Sequence, residues 1–139
     1  MSFENPGREK IKEILTAAKT IAVVGLSDNP ERTSYMVSKA MQQQGYRIIP
    51  VNPNVDHVLG EKAYASLADI PEKIDIVNVF RRSEHTVPIA EEAVKISAKT
   101  LWLQQGIYNE EAAKIAQNGS LTVIMDRCIK VEQSLMNAH

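Results

Sequence analysis

The stretch TIAVVG, residues 20–25, is a short apolar run, rich in β-branched residues, that ends at a glycine. A run of this kind without alternating polar residues is typical of a strand that is buried on both faces of a parallel sheet. Four comparable runs follow it, and residues at helical spacing separate them. These runs are RIIPV, IDIVNVF, TLWL and LTVIM, residues 47–51, 74–80, 100–103 and 121–125. Strands that alternate with helices in this way predict right-handed βαβ units and an α/β fold.

The predicted fold is a Rossmann-like, five-stranded parallel sheet in the order 3-2-1-4-5, with helices on both faces. The length of 139 residues corresponds to one domain, residues 1–139. Ligands of such sheets bind beyond the carboxyl ends of the strands, where the strand order reverses, here between the first and fourth strands. We therefore expect the functional residues in the loops that follow the strands: residues 25–34, 52–54, 81–85, 104–107 and 126–128.

The charge balance and the residue types exclude several kinds of site and partner. The chain has 16 basic and 17 acidic residues, so its overall field favours neither nucleic acid nor an anionic membrane. No apolar run is long enough to span a bilayer. A single cysteine excludes an internal disulfide, and the three histidines, His57, His85 and His139, lack the spacing of metal ligands. We expect a cytoplasmic protein whose anion site, if it has one, is local.

The loop after the first strand, GLSDNPERTS (residues 25–34), has the composition of a phosphate site. A glycine permits a close approach of the backbone, and hydroxyl groups and the free N–H groups of a helix start bind phosphate. The loop lacks the G-x-G-x-x-G pattern of dinucleotide-binding proteins. A surface turn in which Thr33 or Ser34 caps the next helix explains the same residues equally well.

The loops after the second and third strands favour a phosphorylated ribose over NAD. The second strand ends at VNP (residues 51–53), without the acidic residue that holds the ribose of NAD, although Asn-Pro is also a common turn. The third strand ends at FRR (residues 80–82), whose guanidinium groups bind phosphate and stack on bases, unless they are only a solvated pair. We expect Arg32 of the first loop to add to the same positive patch.

No complete catalytic constellation is present in these loops. The segment LQQGI (residues 103–107) offers amides and a glycine to a neutral ligand, but no carboxylate for acid–base chemistry. Cys128, beside Arg127 at a possible helix start, has the setting of a reactive thiol. A buried, inert cysteine is the more common alternative. The residues alone therefore favour a binding protein, and they leave open an NAD(P)-binding oxidoreductase or redox sensor.

The order and spacing of five segments resemble those of the small stand-alone CoA-binding proteins, which are similar to the CoA-binding domain of the succinyl-CoA synthetase α subunit. The segments are IAVVGLSDNPERTSYMV, GYRIIPVNP, IDIVNVFRRSEHTVPI, LWLQQGI and DRCIKVEQ, and the resemblance extends from about Ile14 to Leu135. It implies a protein that binds coenzyme A or an acyl-CoA at the carboxyl edge of the sheet. Relatives often have Glu-His where this chain has Glu132-Gln133. The domain that carries the phosphorylated histidine of the synthetase has no counterpart, so ligase activity is not implied.

The resemblance also implies positions for the ligand along the loops. Residues expected at the phosphates are Gly25, Leu26 and Ser27, with Arg32, Thr33 and Ser34 closing that loop. Residues expected along the adenosine are Val51, Asn52 and Pro53. Residues expected to pack against adenine or to hold phosphate are Phe80, Arg81 and Arg82. Residues expected beside the pantetheine arm are Gln105 and Gly106.

Overall fold

The structure, a computed structural model, describes residues 3–136 as a parallel sheet between two layers of helices. The strands are, in chain order, β1 (Thr20–Val24), β2 (Arg47–Val51), β3 (His57–Val58), β4 (Glu61–Lys62), β5 (Ile76–Val79), β6 (Thr100–Leu103) and β7 (Thr122–Ile124). The helices are α1 (Arg8–Ala17), α2 (Thr33–Gln43), α3 (Thr86–Lys95), α4 (Glu110–Asn118) and α5 (Ile129–Met136). Strands β3 and β4 form a separate antiparallel pair. None of these helices is long and apolar enough to cross a membrane.

Helices cover both faces of the main sheet, which confirms the predicted fold class. Helices α1, α2 and α5 enclose one core around the fully buried Trp102, and α3 and α4 enclose the other. Successive residues of each strand enter opposite cores: in β1, Ile21 and Val23 face the first core, whereas Ala22 and Val24 face the second. Because both faces are buried, the strands are apolar without alternation.

The order of strands across the sheet is β2-β1-β5-β6-β7, so the third strand of the sheet lies beside the first. The expected order, 3-2-1-4-5, places it beyond the second strand instead. The outer edge of β2 is occupied by Tyr64, whose N–H donates to the Pro50 carbonyl and whose carbonyl accepts from the Asn52 N–H. Pro50 faces this edge without an N–H of its own, and a proline of this kind belongs at the edge of a sheet.

The strand order therefore reverses between β1 and β5, and the three loops nearest the reversal start from adjacent residues. The N–H of Gly25 donates to the Val51 carbonyl, and the N–H of Phe80 donates to the Val24 carbonyl. Helix α2 then covers one face of the sheet and α3 covers the other. A crevice forms where the two connections diverge, at the carboxyl ends of β1, β2 and β5.

Candidate functional site

Two cavities lie side by side in this crevice and share the side chain of Arg81. The first, which we call the α2 cavity, has a volume of about 400 Å³ and is lined by Gly25, Ser27, Arg32, Thr33, Ser34, Asn52, Phe80 and Arg81. The second, the α3 cavity, has a volume of about 440 Å³ and is lined by Val24, Val51, Pro53, Ala65, Ser66, Leu67, Arg81, His85, Ile89 and Glu92. Most of the residues predicted from the loops after β1, β2 and β5 are thus brought together.

Internal hydrogen bonds fold the loop after β1 so that the start of α2 faces the α2 cavity. The Ser34 hydroxyl accepts from the Ser27 N–H at 3.0 Å, and the Ser27 hydroxyl accepts from the Asn29 N–H at 3.0 Å. Arg32, and not Thr33 or Ser34, occupies the cap position, where no side chain caps the helix. The expected hydroxyl cap is wrong because Ser34 bonds to the loop instead. The first turn therefore keeps N–H groups that suit an anion.

Gly25 lies where the loops after β1 and β5 touch. Its φ of +90° is in the left-handed region, and a Cβ added there would clash with the Phe80 carbonyl oxygen. The same Cβ would lie 3.4 Å from Cζ of Arg81. The sequence predicts that this glycine lets a ligand approach closely, and the structure shows that it lets the loop after β5 approach closely. The contact places the Arg81 guanidinium against the backbone of the loop after β1.

Arg81 is half-buried between the two cavities and has no carboxylate partner in the described part of the chain. The ion pairs within 4.0 Å among residues 3–136 are Arg47–Glu61, Arg47–Glu72 and Lys99–Asp75. Arg32 is exposed and lines the α2 cavity but not the α3 cavity. It is likewise absent from these ion pairs. No Asp or Glu lines the α2 cavity. Positive charge thus remains available to a bound anion where the two cavities meet.

Asn52 ties the loop after β2 to the loop after β1. Its Nδ2 donates to the Leu26 carbonyl at 3.0 Å, and its Oδ1 accepts from the Asn54 N–H at 2.9 Å. The amide therefore bonds to two loops of the protein itself, as the interpretation of Asn-Pro as a turn predicts. Val51 and Pro53, on either side of it, line the α3 cavity.

Four of the predicted site residues line neither cavity. Leu26 is fully buried in the core beneath α2, and Arg82 is exposed. Gln105 and Gly106 are exposed in the turn after β6, where the Gly106 N–H donates to Oδ1 of Asp126 at 2.7 Å. Because β5 separates β6 from β1, this turn lies one strand away from the reversal of strand order.

Helix α3 provides a wall of the α3 cavity in which only His85, at the end of the expected loop 81–85, was anticipated. His85, Ile89 and Glu92 recur at intervals of four and three residues, which places them on one face of a helix. That spacing is visible in the sequence, but the direction of the face depends on β5 lying beside β1. Residues 65–67, which also line the cavity, come from the segment that follows the bridge of Tyr64 to β2.

Other groups considered for chemistry do not form a site. No cluster of three His, Cys, Asp or Glu side chains in residues 3–136 could hold a metal ion. His139 lies outside the described residues. Cys128 is partly buried, packs against the core beneath α5 and lines neither cavity. Trp102 is buried, and its Nε1 donates to the Arg127 carbonyl at 2.9 Å.

A smaller cavity of about 240 Å³ lies at the opposite edge of the sheet, beside the amino ends of β5, β6 and β7. Its main acidic group, Asp75, is already engaged by the protein: the Lys19 and Thr20 N–H groups donate to Oδ2 at 2.8 and 3.1 Å, and Lys99 lies 3.5 Å away. Burial acts to raise the pKa of Asp75, but these backbone bonds and the Lys99 charge outweigh it, so its pKa is lowered. This carboxylate has a structural role.

Comparison with known proteins identifies the family. The CoA binding domain family matches residues 19–134. The chain belongs to this family. The uncharacterized protein YneT of Bacillus subtilis is 57% identical over 133 residues, which cover 96% of this chain and 98% of that protein.

Solved structures of similar chains have the same fold over nearly their whole length. A hypothetical protein from Pyrococcus horikoshii is 39% identical with a TM-score of 0.92, covering 99% of this chain and 100% of that one. A protein from Thermus thermophilus is 34% identical with a TM-score of 0.90, covering 94% and 99% of the two chains.

The ADP-forming acetate–CoA ligase of Methanocaldococcus jannaschii is 23% identical over 141 residues. Those residues cover 96% of this chain but 20% of the ligase.

Proposed function

We propose that this protein binds coenzyme A or an acyl-CoA across the α2 and α3 cavities. The observation that carries the proposal is the position of Arg81, which lines both cavities and has no carboxylate partner among residues 3–136. A half-buried guanidinium without a carboxylate within 4.0 Å has a strong electrostatic reason to bind an anion. Membership of the CoA binding domain family supports a ligand with several phosphates.

The α2 cavity has the chemistry that a diphosphate requires. The uncapped first turn of α2 presents N–H groups, and the hydroxyls of Ser27 and Thr33 add donors. Arg32 and Arg81 both line the cavity and supply positive charge, and no carboxylate lines it to repel phosphate. We assign the diphosphate of the ligand to this cavity.

The α3 cavity has the chemistry that a nucleoside requires. Val51, Pro53 and Ile89 give it apolar walls, and its volume lies in the usual range of small-molecule sites. The end of β2 has no acidic residue, so this side of the cavity does not repel a ribose that carries a phosphate. Arg81, at the junction, is in position for that extra phosphate. We assign the adenosine to this cavity, and the pantetheine arm to the direction of Gln105 and Gly106.

The proposal describes binding without evident catalytic machinery. His85 and Glu92 both line the α3 cavity, but no ion pair within 4.0 Å joins them among residues 3–136. The proposal includes a cytoplasmic location and a small-molecule partner. The formal net charge of −1 gives no reason to add nucleic acid or a membrane surface as a partner.

Calorimetric titration of the purified protein with CoA and with dephospho-CoA tests the proposal. We expect saturable binding of CoA and binding of dephospho-CoA that is weaker by roughly 10-fold or more, since a hydrogen-bonded charged contact contributes about 1.5–3 kcal/mol. A parallel titration with NADPH addresses the alternative of a nicotinamide cofactor. Equal affinities for CoA and dephospho-CoA would contradict the role of the phosphate, and tighter binding of NADPH than of CoA would overturn the proposal.

A further inference from the structure

One carboxylate lines the α3 cavity, and its two oxygens have different surroundings. Oε1 of Glu92 accepts a hydrogen bond from the Leu67 N–H at 2.6 Å. Oε2 has no hydrogen-bond partner among residues 3–136, although the side chain lines the cavity. Leu67 is 1% exposed, so the bond anchors the carboxylate to the core and fixes its position in the cavity wall.

The charge of Glu92 restricts what can occupy the α3 cavity. Arg81 and His85 line the same cavity, but neither forms an ion pair with Glu92 within 4.0 Å. An ionised carboxylate repels a phosphate and accepts hydrogen bonds from neutral donors. An uncharged ring that carries an N–H donor therefore fits this wall, whereas the phosphates fit the carboxylate-free α2 cavity. The same carboxylate thus sets the direction in which a nucleotide lies across Arg81.

We propose that Glu92 determines the base specificity of the site, with Oε2 accepting a hydrogen bond from the exocyclic amino group of adenine. This inference rests on the proposed function, because it assumes that the nucleoside occupies the α3 cavity. Hypoxanthine has the same ring size but carries an oxygen where adenine carries the amino group. Two acceptors then face each other, and the hydrogen bond is lost.

The replacement Glu92→Gln tests this role without removing the anchor to the core. The glutamine Oε1 still accepts from the Leu67 N–H, and Nε2 takes the place of Oε2. The acceptor in the cavity becomes a donor, which matches the oxygen of hypoxanthine. Glu91→Gln, at the neighbouring exposed position of α3, is the matched control because it removes the same charge outside both cavities.

The probes are adenosine 3′,5′-bisphosphate and inosine 3′,5′-bisphosphate, each titrated calorimetrically into the wild-type protein and the two variants. We expect the wild type and Glu91→Gln to bind the adenosine compound roughly 10-fold more tightly or better, as one hydrogen bond to a charged group implies. Glu92→Gln is expected to lose this preference or to reverse it. Equal binding of the two probes by the wild type, or an unchanged preference in Glu92→Gln, overturns the role of Glu92 alone. Failure of the wild type to bind either probe or CoA overturns the proposed function as well.

Discussion

Gly25 and Phe80 are in backbone contact at the point where the strand order of the sheet reverses. A Cβ on residue 25 would clash with the Phe80 carbonyl oxygen, and φ of residue 25 is +90°. This contact brings the loop after β1 against the loop after β5, and it places Arg81 at the junction of the two cavities. The geometry of the crevice therefore depends on the absence of a side chain at one position.

Gly25→Ala is expected to destabilise the protein more than the same replacement at Gly60. Gly60 has a similar φ of +78°, but nothing lies within 4 Å of an added Cβ. Both variants incur backbone strain of about 1–2 kcal/mol, and only Gly25→Ala also displaces the Phe80 backbone. Denaturant unfolding measures the difference between them. Equal losses in the free energy of unfolding would show that the contact with Phe80 is unimportant.

Replacing Asp75 by Asn is expected to lower stability at neutral pH. The carboxylate accepts from two backbone N–H groups, and hydrogen bonds to a charged group contribute about 1.5–3 kcal/mol each. The pKa of Asp75 is lowered in the folded state, so its contribution is present above the pKa of the unfolded chain and is lost as pH falls through the folded pKa. The difference between wild type and variant should therefore shrink in acid.

Unfolding curves at neutral pH and at pH values below the unfolded-state pKa of Asp measure this effect. Asp28→Asn, at an exposed position outside this network, is the control and should change stability little at any of these pH values. A pH-independent difference between wild type and Asp75→Asn would contradict the role of the charge.

Cys128 is expected to remain unmodified when the folded protein is incubated with CoA disulfide. The side chain is partly buried and packs against the core beneath α5, and burial in apolar surroundings disfavours the thiolate that attacks a disulfide. Intact-protein mass spectrometry measures the outcome. A mass increase that corresponds to one CoA would instead show that Cys128 is the reactive thiol that the sequence leaves open.

The five strands of the main sheet could be predicted to within two residues at each end because each is buried on both faces. An apolar run without alternation, such as residues 20–24, reports this burial directly. The short pair β3 and β4, which is partly exposed, was not predicted. The neighbour of the third strand could not be predicted, because it depends on Tyr64 pairing with the edge of β2. No local pattern in the sequence indicates that pairing. The strand order thus required the structure, although the class of the fold did not.

In the candidate site, too, local sequence predicts some residues, while others depend on contacts between distant segments. The loops that form the crevice follow from the ends of the strands, so residues such as Ser27, Thr33 and Arg81 could be predicted. The sequence does not distinguish Arg81, which is half-buried between the cavities, from Arg82, which is exposed. Glu92 could not be found either, because its importance comes from a bond to Leu67, 25 residues earlier in the chain.

The affinity of Arg81→Ala for CoA shows whether the guanidinium shared by the two cavities binds the ligand. Arg8→Ala, an exposed position on α1 outside both cavities, removes the same charge and is the control. In calorimetric titrations, Arg81→Ala should bind CoA roughly 10- to 100-fold more weakly than the wild type, while Arg8→Ala should bind it equally well. Wild-type affinity in Arg81→Ala, or an equal loss in both variants, would contradict the account.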